Sequence, residues 1–130
     1  MKFDLSIITK SKTEFIDITE QVSNAVKSAG LTQGLCCIYI PHTTAGVTIN
    51  EGADPAVKRD IISMLNKLIP LEGDYHHSEG NSAAHIKTTM TGNAAVCPIE
   101  NGRLLLGTWQ SVFLCEFDGP RTRRVYICIS

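Results

Sequence analysis

The sequence predicts an α+β fold: a mostly antiparallel, β-sandwich-like core carrying two main helices, in a single domain spanning residues 1–130. Three observations lead there. Segments with strand patterning outnumber helical ones. Two amphipathic stripes each carry their own start and stop signals. No repeat, low-complexity tract or Pro/Gly/Ser linker divides the 130 residues, and 43% of them are hydrophobic, enough for one core.

Phe3, Leu5 and Ile7 alternate with polar residues as a first strand, and Phe15, Ile16 and Ile18 suggest a second after a turn. Asp17-Ile18-Thr19-Glu20 has the spacing of a capping box. The helix it opens puts Val22, Ala25, Val26 and Ala29 on one face and stops at Gly30, a natural C′ residue. Gly34 to Pro41 is a nearly continuous apolar run and reads as a central strand; Val47 and Ile49 alternate as the next. Asp54-Pro55 starts a second helix, with aspartate as cap and proline at N1. Val57, Ile61, Met64, Leu65 and Leu68 form its apolar stripe, and Pro70 ends it. Residues 73–81 are a polar loop, and 82–90 fit a short helix. Strands follow at 93–99, 102–106, 108–117 and 125–129, with Asn101-Gly102 at a hairpin turn.

Twelve basic residues against thirteen acidic ones leave a formal charge of −1, which argues against a nucleic-acid or anionic-membrane surface. No segment approaches the length of a membrane span. The Met1–Lys10 stretch lacks the apolar region of a secretory signal. Five cysteines, odd in number and mostly in apolar runs, read as reduced thiols, so a cytoplasmic location is expected.

Candidate chemistry concentrates in the run from His42 to Pro55, which holds a histidine, three threonines, an asparagine and two carboxylates between a strand and a helix. His42 ends a buried strand, while His77 and His85 bracket Glu79-Gly80-Asn81. Imidazoles from separate segments can bind a divalent metal and leave a position for water or phosphate, although this spacing matches no named metal signature. The alternative is that His76 and His77 are solvated and His42 is a hydrogen-bonded strand end. Thr43 and Thr44 can donate to phosphate oxygens; Thr48 reads better as a strand former. Asn50 and Glu51 precede a helix N-terminus that favours an anion, but Glu51 fits a loop-tethering role equally well. Asp54 reads as the helix cap. Trp109 beside Gln110 is either core or a platform for a heterocycle. Asp118-Gly119-Pro120-Arg121 is a turn. The arginines 121, 123 and 124 are either a solvated edge or a phosphate clamp, and Glu116 would pair with one of them.

Taken in order, these blocks resemble the YjbQ-like family. The resemblance is carried by His42-Thr43-Thr44-Ala45, Asn50-Glu51, Asp54-Pro55, Asp60, His77 with Glu79-Gly80, Ala84-His85-Ile86-Lys87 and Gly92. It continues through Gly102-Arg103, Gly107-Thr108-Trp109-Gln110, Glu116, and Asp118-Gly119-Pro120-Arg121 with Arg123-Arg124. The set covers most of the chain from position 34 onward. It implies a homotrimer with polar pockets near subunit boundaries and a metal site at His42, His77 and His85.

The family is associated with a secondary thiamine-phosphate synthase activity, which joins a pyrimidine-methyl diphosphate to a thiazole phosphate. On that expectation His42, Glu51 and His85 are catalytic. Thr43, Thr44, Asn50, Lys87, Trp109, Gln110, Arg123 and Arg124 bind the phosphorylated substrates, and a divalent metal assists. Two other functions compete: a metal-dependent hydrolase of a small phosphorylated metabolite, with Glu51 or Glu79 as base, and a non-catalytic trimer that binds a small anion.

Overall fold

From Val112 to Phe117 successive side chains point to opposite faces of one strand, and both faces are buried. Val112 and Leu114 enter one hydrophobic cluster; Phe113, Cys115 and Phe117 enter another. The rest of the molecule is arranged around this two-sided strand.

The computed structural model describes residues 1–130. Its strands are β1 (Lys2–Ile8), β2 (Glu14–Asp17), β3 (Gln33–Tyr39), β4 (Ala45–Glu51), β5 (Ala94–Glu100), β6 (Arg103–Leu104), β7 (Gln110–Glu116) and β8 (Thr122–Ile129). Its helices are α1 (Thr19–Ala29), α2 (Pro55–Leu68) and α3 (Ser82–Thr91). The strands form a five-stranded sheet in the order β1-β8-β3-β5-β6 and a three-stranded sheet in the order β2-β7-β4. Every pairing is antiparallel. The expected α+β class and sandwich-like core are found, with the two main helices and, as α3, the short helix expected at 82–90.

The larger cluster lies between the sheets and α1. It joins Val22, Ala25 and Val26 of α1 to Cys36 and Ile38 of β3, Val47 of β4, and Val125, Ile127 and Ile129 of β8. The smaller cluster lies on the far side of β7, where Phe15, Ala84 and the three alternate β7-side residues meet Ile61, Ile62 and Leu65 of α2. Burying side chains of this size contributes about 1.5–3 kcal/mol each relative to leaving them in water.

Local signals account for most boundaries. Asp54 is extended, and its side chain accepts from the Ala56 amide at 2.9 Å, with Pro55 behind it. Gly30 ends α1 at φ 69°, in the left-handed region that its missing Cβ permits. The capping box expected at Asp17 does not form. Ile18 holds the cap position, fully buried, and Asp17 accepts from the Thr19 amide instead. Core demand for Ile18 fixes the chain there and displaces the polar cap. The apolar stripe of α2 sinks only halfway: Ile61 and Leu65 pack on the smaller cluster, while Met64 and Leu68 are exposed and no residue of the helix is fully buried. No helix is long and apolar enough to cross a membrane.

Candidate functional site

Residues of the β7–β8 connection carry the most concentrated polar chemistry in the molecule. Glu116 ends β7 and is wholly buried; Arg123, near the start of β8, is 1% exposed. The Arg123 guanidinium donates to both Glu116 oxygens and to the Thr44 carbonyl and hydroxyl. Burial by itself would raise the Glu116 pKa. Hydrogen bonds from Arg123, the Asp118 amide and Thr9 outweigh it and hold the carboxyl below its ordinary value. This pair is a structural bolt between β4, β7 and β8. Arg123, expected to grip phosphate, instead has its guanidinium engaged in the core. Arg124 points the other way, as strand alternation requires, and its guanidinium turns to Tyr126.

Of the arginines in this cluster, the one that faces a pocket is Arg121. It borders a cleft of about 350 Å³ with Lys12, Thr43, Thr44, Glu79, Gly80, Asn81, His85 and Asp118, and no apolar side chain lines it. Asp118 organises these walls. Its carboxylate accepts from Lys12 Nζ at 2.6 Å, Arg121 at 3.0 Å and Asn81 Nδ2 at 2.9 Å. Burial pushes its pKa up, but the bonds from Lys12 and Asn81 and the charges of Lys12 and Arg121 bring it below the usual carboxylate range. Two cations, two threonines and an imidazole can meet an oxyanion there, with the carboxylates of Asp118 and Glu79 in the same walls. Gly119 makes the arrangement possible. A Cβ there would stand 2.2 Å from the Ser11 carbonyl oxygen, so only glycine lets the β7–β8 turn lie against the turn that carries Lys12.

Of the sequence candidates, Thr43, Thr44 and His85 line this cleft. Arg121 belongs to the arginine cluster that the sequence offers as a phosphate clamp, whereas Lys12 and Asn81 carry no signal in the sequence and Asp118 reads there only as part of a turn. His85 also faces a second opening on its other side, with Asp74, Tyr75, His76, His77, Ser82 and Ile86. The His77 and His85 rings meet edge to face with centroids 5.2 Å apart, and Glu79 is 3.8 Å from His77 Nε2. His42 is not with them. Its Nε2 accepts the Arg124 amide at 2.9 Å, which places the proton of the neutral ring on Nδ1. Burial and then the Arg123 charge lower its pKa. The three histidines therefore do not form one ligand set within the chain, and no three His, Cys, Asp or Glu side chains gather as a metal-holding group.

The remaining candidates lie elsewhere. β4 and β7 pair with Ala45 opposite Glu116 at one end and Glu51 opposite Gln110 at the other. Six residue steps separate the ends, or roughly 20 Å. Asn50, Glu51, Trp109 and Gln110 all sit at that far end. Glu51 accepts from the Ala53 amide, Asn50 from the Glu51 amide and Gln110 from the Gly107 amide, so each braces a local turn. Trp109 is 64% exposed and belongs to no core. Lys87 lies behind the cleft, in a cavity of its own.

Known proteins place this geometry in context. The sequence profile described as UPF0047 protein YjbQ-like matches residues 3–130. The chain belongs to the YjbQ-like UPF0047 family. Its UPF0047 relatives include YugU of Bacillus subtilis, 50% identical over 95% of this chain and 94% of the relative. Another, from Methanocaldococcus jannaschii, is 48% identical over 99% and 94%. The crystal structure of an uncharacterized conserved YjbQ/UPF0047 protein from Clostridium acetobutylicum superposes with a TM-score of 0.97 at 50% identity, covering 98% of this chain and 99% of that one. A YbjQ-like protein of unknown function from Sulfolobus solfataricus superposes at 0.95 with 32% identity, covering 99% and 95%. The family and the fold are thereby fixed together.

Proposed function

We propose that this YjbQ-like protein binds a small phosphorylated metabolite in the cleft between Lys12, Arg121 and His85, and acts there as a thiamine-phosphate synthase-like transferase. The observation that supports it most is the pair of cations held open by Asp118 in a cleft without apolar lining. In the transfer, the methylene C–O bond of a pyrimidine-methyl diphosphate breaks and its electron pair leaves with pyrophosphate. The thiazole nitrogen supplies the lone pair for the new C–N bond. Lys12 and Arg121 stabilise the departing pyrophosphate, and the Thr43 hydroxyl and His85 imidazole hold its oxygens. A divalent ion held by His77 and His85 would add charge stabilisation to the same leaving group.

Incubating the purified protein with both substrates tests the proposal. Thiamine phosphate and pyrophosphate should appear in equal amounts, and His85→Ala should cut the rate at least tenfold. No product, or unchanged product with His85→Ala, contradicts it.

A second reading is favoured by one observation, the Glu79 carboxylate beside the His77–His85 pair. It is hydrolysis of a small phosphorylated metabolite, with a divalent ion at the imidazoles and Glu79 as base. It predicts turnover of a single phosphoester only when divalent metal is added, and no acceptor requirement. Assembly as a homotrimer is proposed with either reading. It is supported by Leu35, Tyr39 and Val96, apolar side chains left exposed on the outer face of the five-stranded sheet.

A further inference from the structure

Lys87 is a buried cation without a counter-charge. Only 5% of it is exposed, and its Nζ donates to the neutral amide of Asn66 at 2.6 Å. Arg123, equally deep, has Glu116. An ammonium carries three donors, and a charge taken out of water costs free energy unless an opposite charge or several hydrogen bonds meet it. Burial and then the nearby charge of Lys12 hold the Lys87 pKa below the ordinary lysine value.

The surroundings of Lys87 are those of a receptor. It lines a cavity of about 430 Å³ in which no carboxylate appears. That volume falls within the ~300–1,000 Å³ common for small-molecule sites. Lys12 forms part of the same wall, and Leu71, Ala83, Ala84 and Phe117 make the other side apolar. The ten-residue α3 begins at this cavity, and its N-cap Asn81 makes no capping bond from its side chain. Asn81 Nδ2 is committed to Asp118, while its Oδ1 is buried with no donor. The first turn of α3, a buried ammonium and a second lysine thus border one cavity.

We propose that this cavity is a second binding site, separate from the polar cleft, for the oxyanion head of a small molecule with a short apolar chain. Lys87 and Lys12 hold the head, and Leu71, Ala84 and Phe117 hold the chain. Phosphate monoester and carboxylate heads share this chemistry. Lys12 and Asn81 border both spaces, so the two sites share a wall, while Lys87, Leu71, Ala84 and Phe117 belong to this cavity alone.

Methyl NMR on the full-length protein tests it, because Ala83 and Ala84 report the cavity while Thr43 and Thr44 report the cleft. Titrating n-propyl phosphate and, separately, butyrate should shift the two alanine methyls saturably, and the tighter anion names the head group. Lys87→Met should weaken that response at least tenfold and leave the threonine response unchanged. n-Propanol, the neutral control on the wild-type protein, should not shift the alanines, which keeps the test decisive even if the variant folds poorly. Alanine methyls that respond to neither anion, or as strongly to propanol, or equally in a folded Lys87→Met, overturn the proposal.

Discussion

Arg123 owes its burial to the phase of β8. The sequence places three arginines close together after a turn, which reads as a phosphate clamp. Only the phase of β8 decides which one points inward. Val125, Ile127 and Ile129 are buried, and extending that alternation two residues back puts Arg123 inside and Arg124 outside. The strand starts at Thr122, earlier than its apolar residues advertise, so the phase was not legible at the arginines. Truncating Arg123 to methionine would strand Glu116 as a buried, unpaired carboxylate, at a cost of about 3–5 kcal/mol; urea unfolding measures it. The same pair makes stability acid-sensitive. The folded Glu116 pKa lies below its unfolded value of about 4.3, so its contribution is fully present above that pH and is lost as pH falls through the folded value. His42 acts in the same direction at higher pH. Its folded pKa is lowered, so its contribution fades as pH drops below the unfolded value of about 6.5. His42→Gln should therefore flatten the dependence of stability on pH below about 6.5; an unchanged slope would mean His42 is not held neutral.

Elements with a local signature were the legible ones. The start of α2 at Asp54-Pro55 and the end of α1 at Gly30 follow from cap chemistry alone. Asp54→Ala should cost about 1 kcal/mol through loss of the bond to the Ala56 amide, read as a shift in denaturation midpoint. The cleft itself was less legible, because it forms where four distant segments meet. Lys12 and Asp118 are 106 residues apart in the chain, and no periodicity connects them. Glu51 and Trp109, by contrast, stood out in the sequence and sit at the opposite end of the β4–β7 ladder. Gly119 is the element-scale test of the cleft. Gly119→Ala forces a Cβ against the Ser11 carbonyl and must spread the two turns. Anion binding should fall with it, along with melting temperature; an alanine variant with wild-type binding would show that the turns need not touch.

At the scale of the whole molecule, fold class was the easiest property to read. Alternating strands, two capped helices and no linker leave few alternatives to one antiparallel α+β domain. Assembly is the property that the pattern of a single chain does not encode, since exposed Leu35, Tyr39 and Val96 acquire meaning only against a second surface. Sedimentation should give three chain masses of 14.2 kDa each; a monomer at micromolar concentration would contradict the homotrimer. Function stands or falls on whether the polar cleft captures a phosphorylated group. The direct measurement is calorimetric titration of pyrophosphate into the wild-type protein, Arg121→Met and Arg124→Met. Binding weakened at least tenfold in Arg121→Met and unchanged in Arg124→Met is the predicted result. Equal binding in Arg121→Met, or loss confined to Arg124→Met, would place the anion elsewhere and contradict the account.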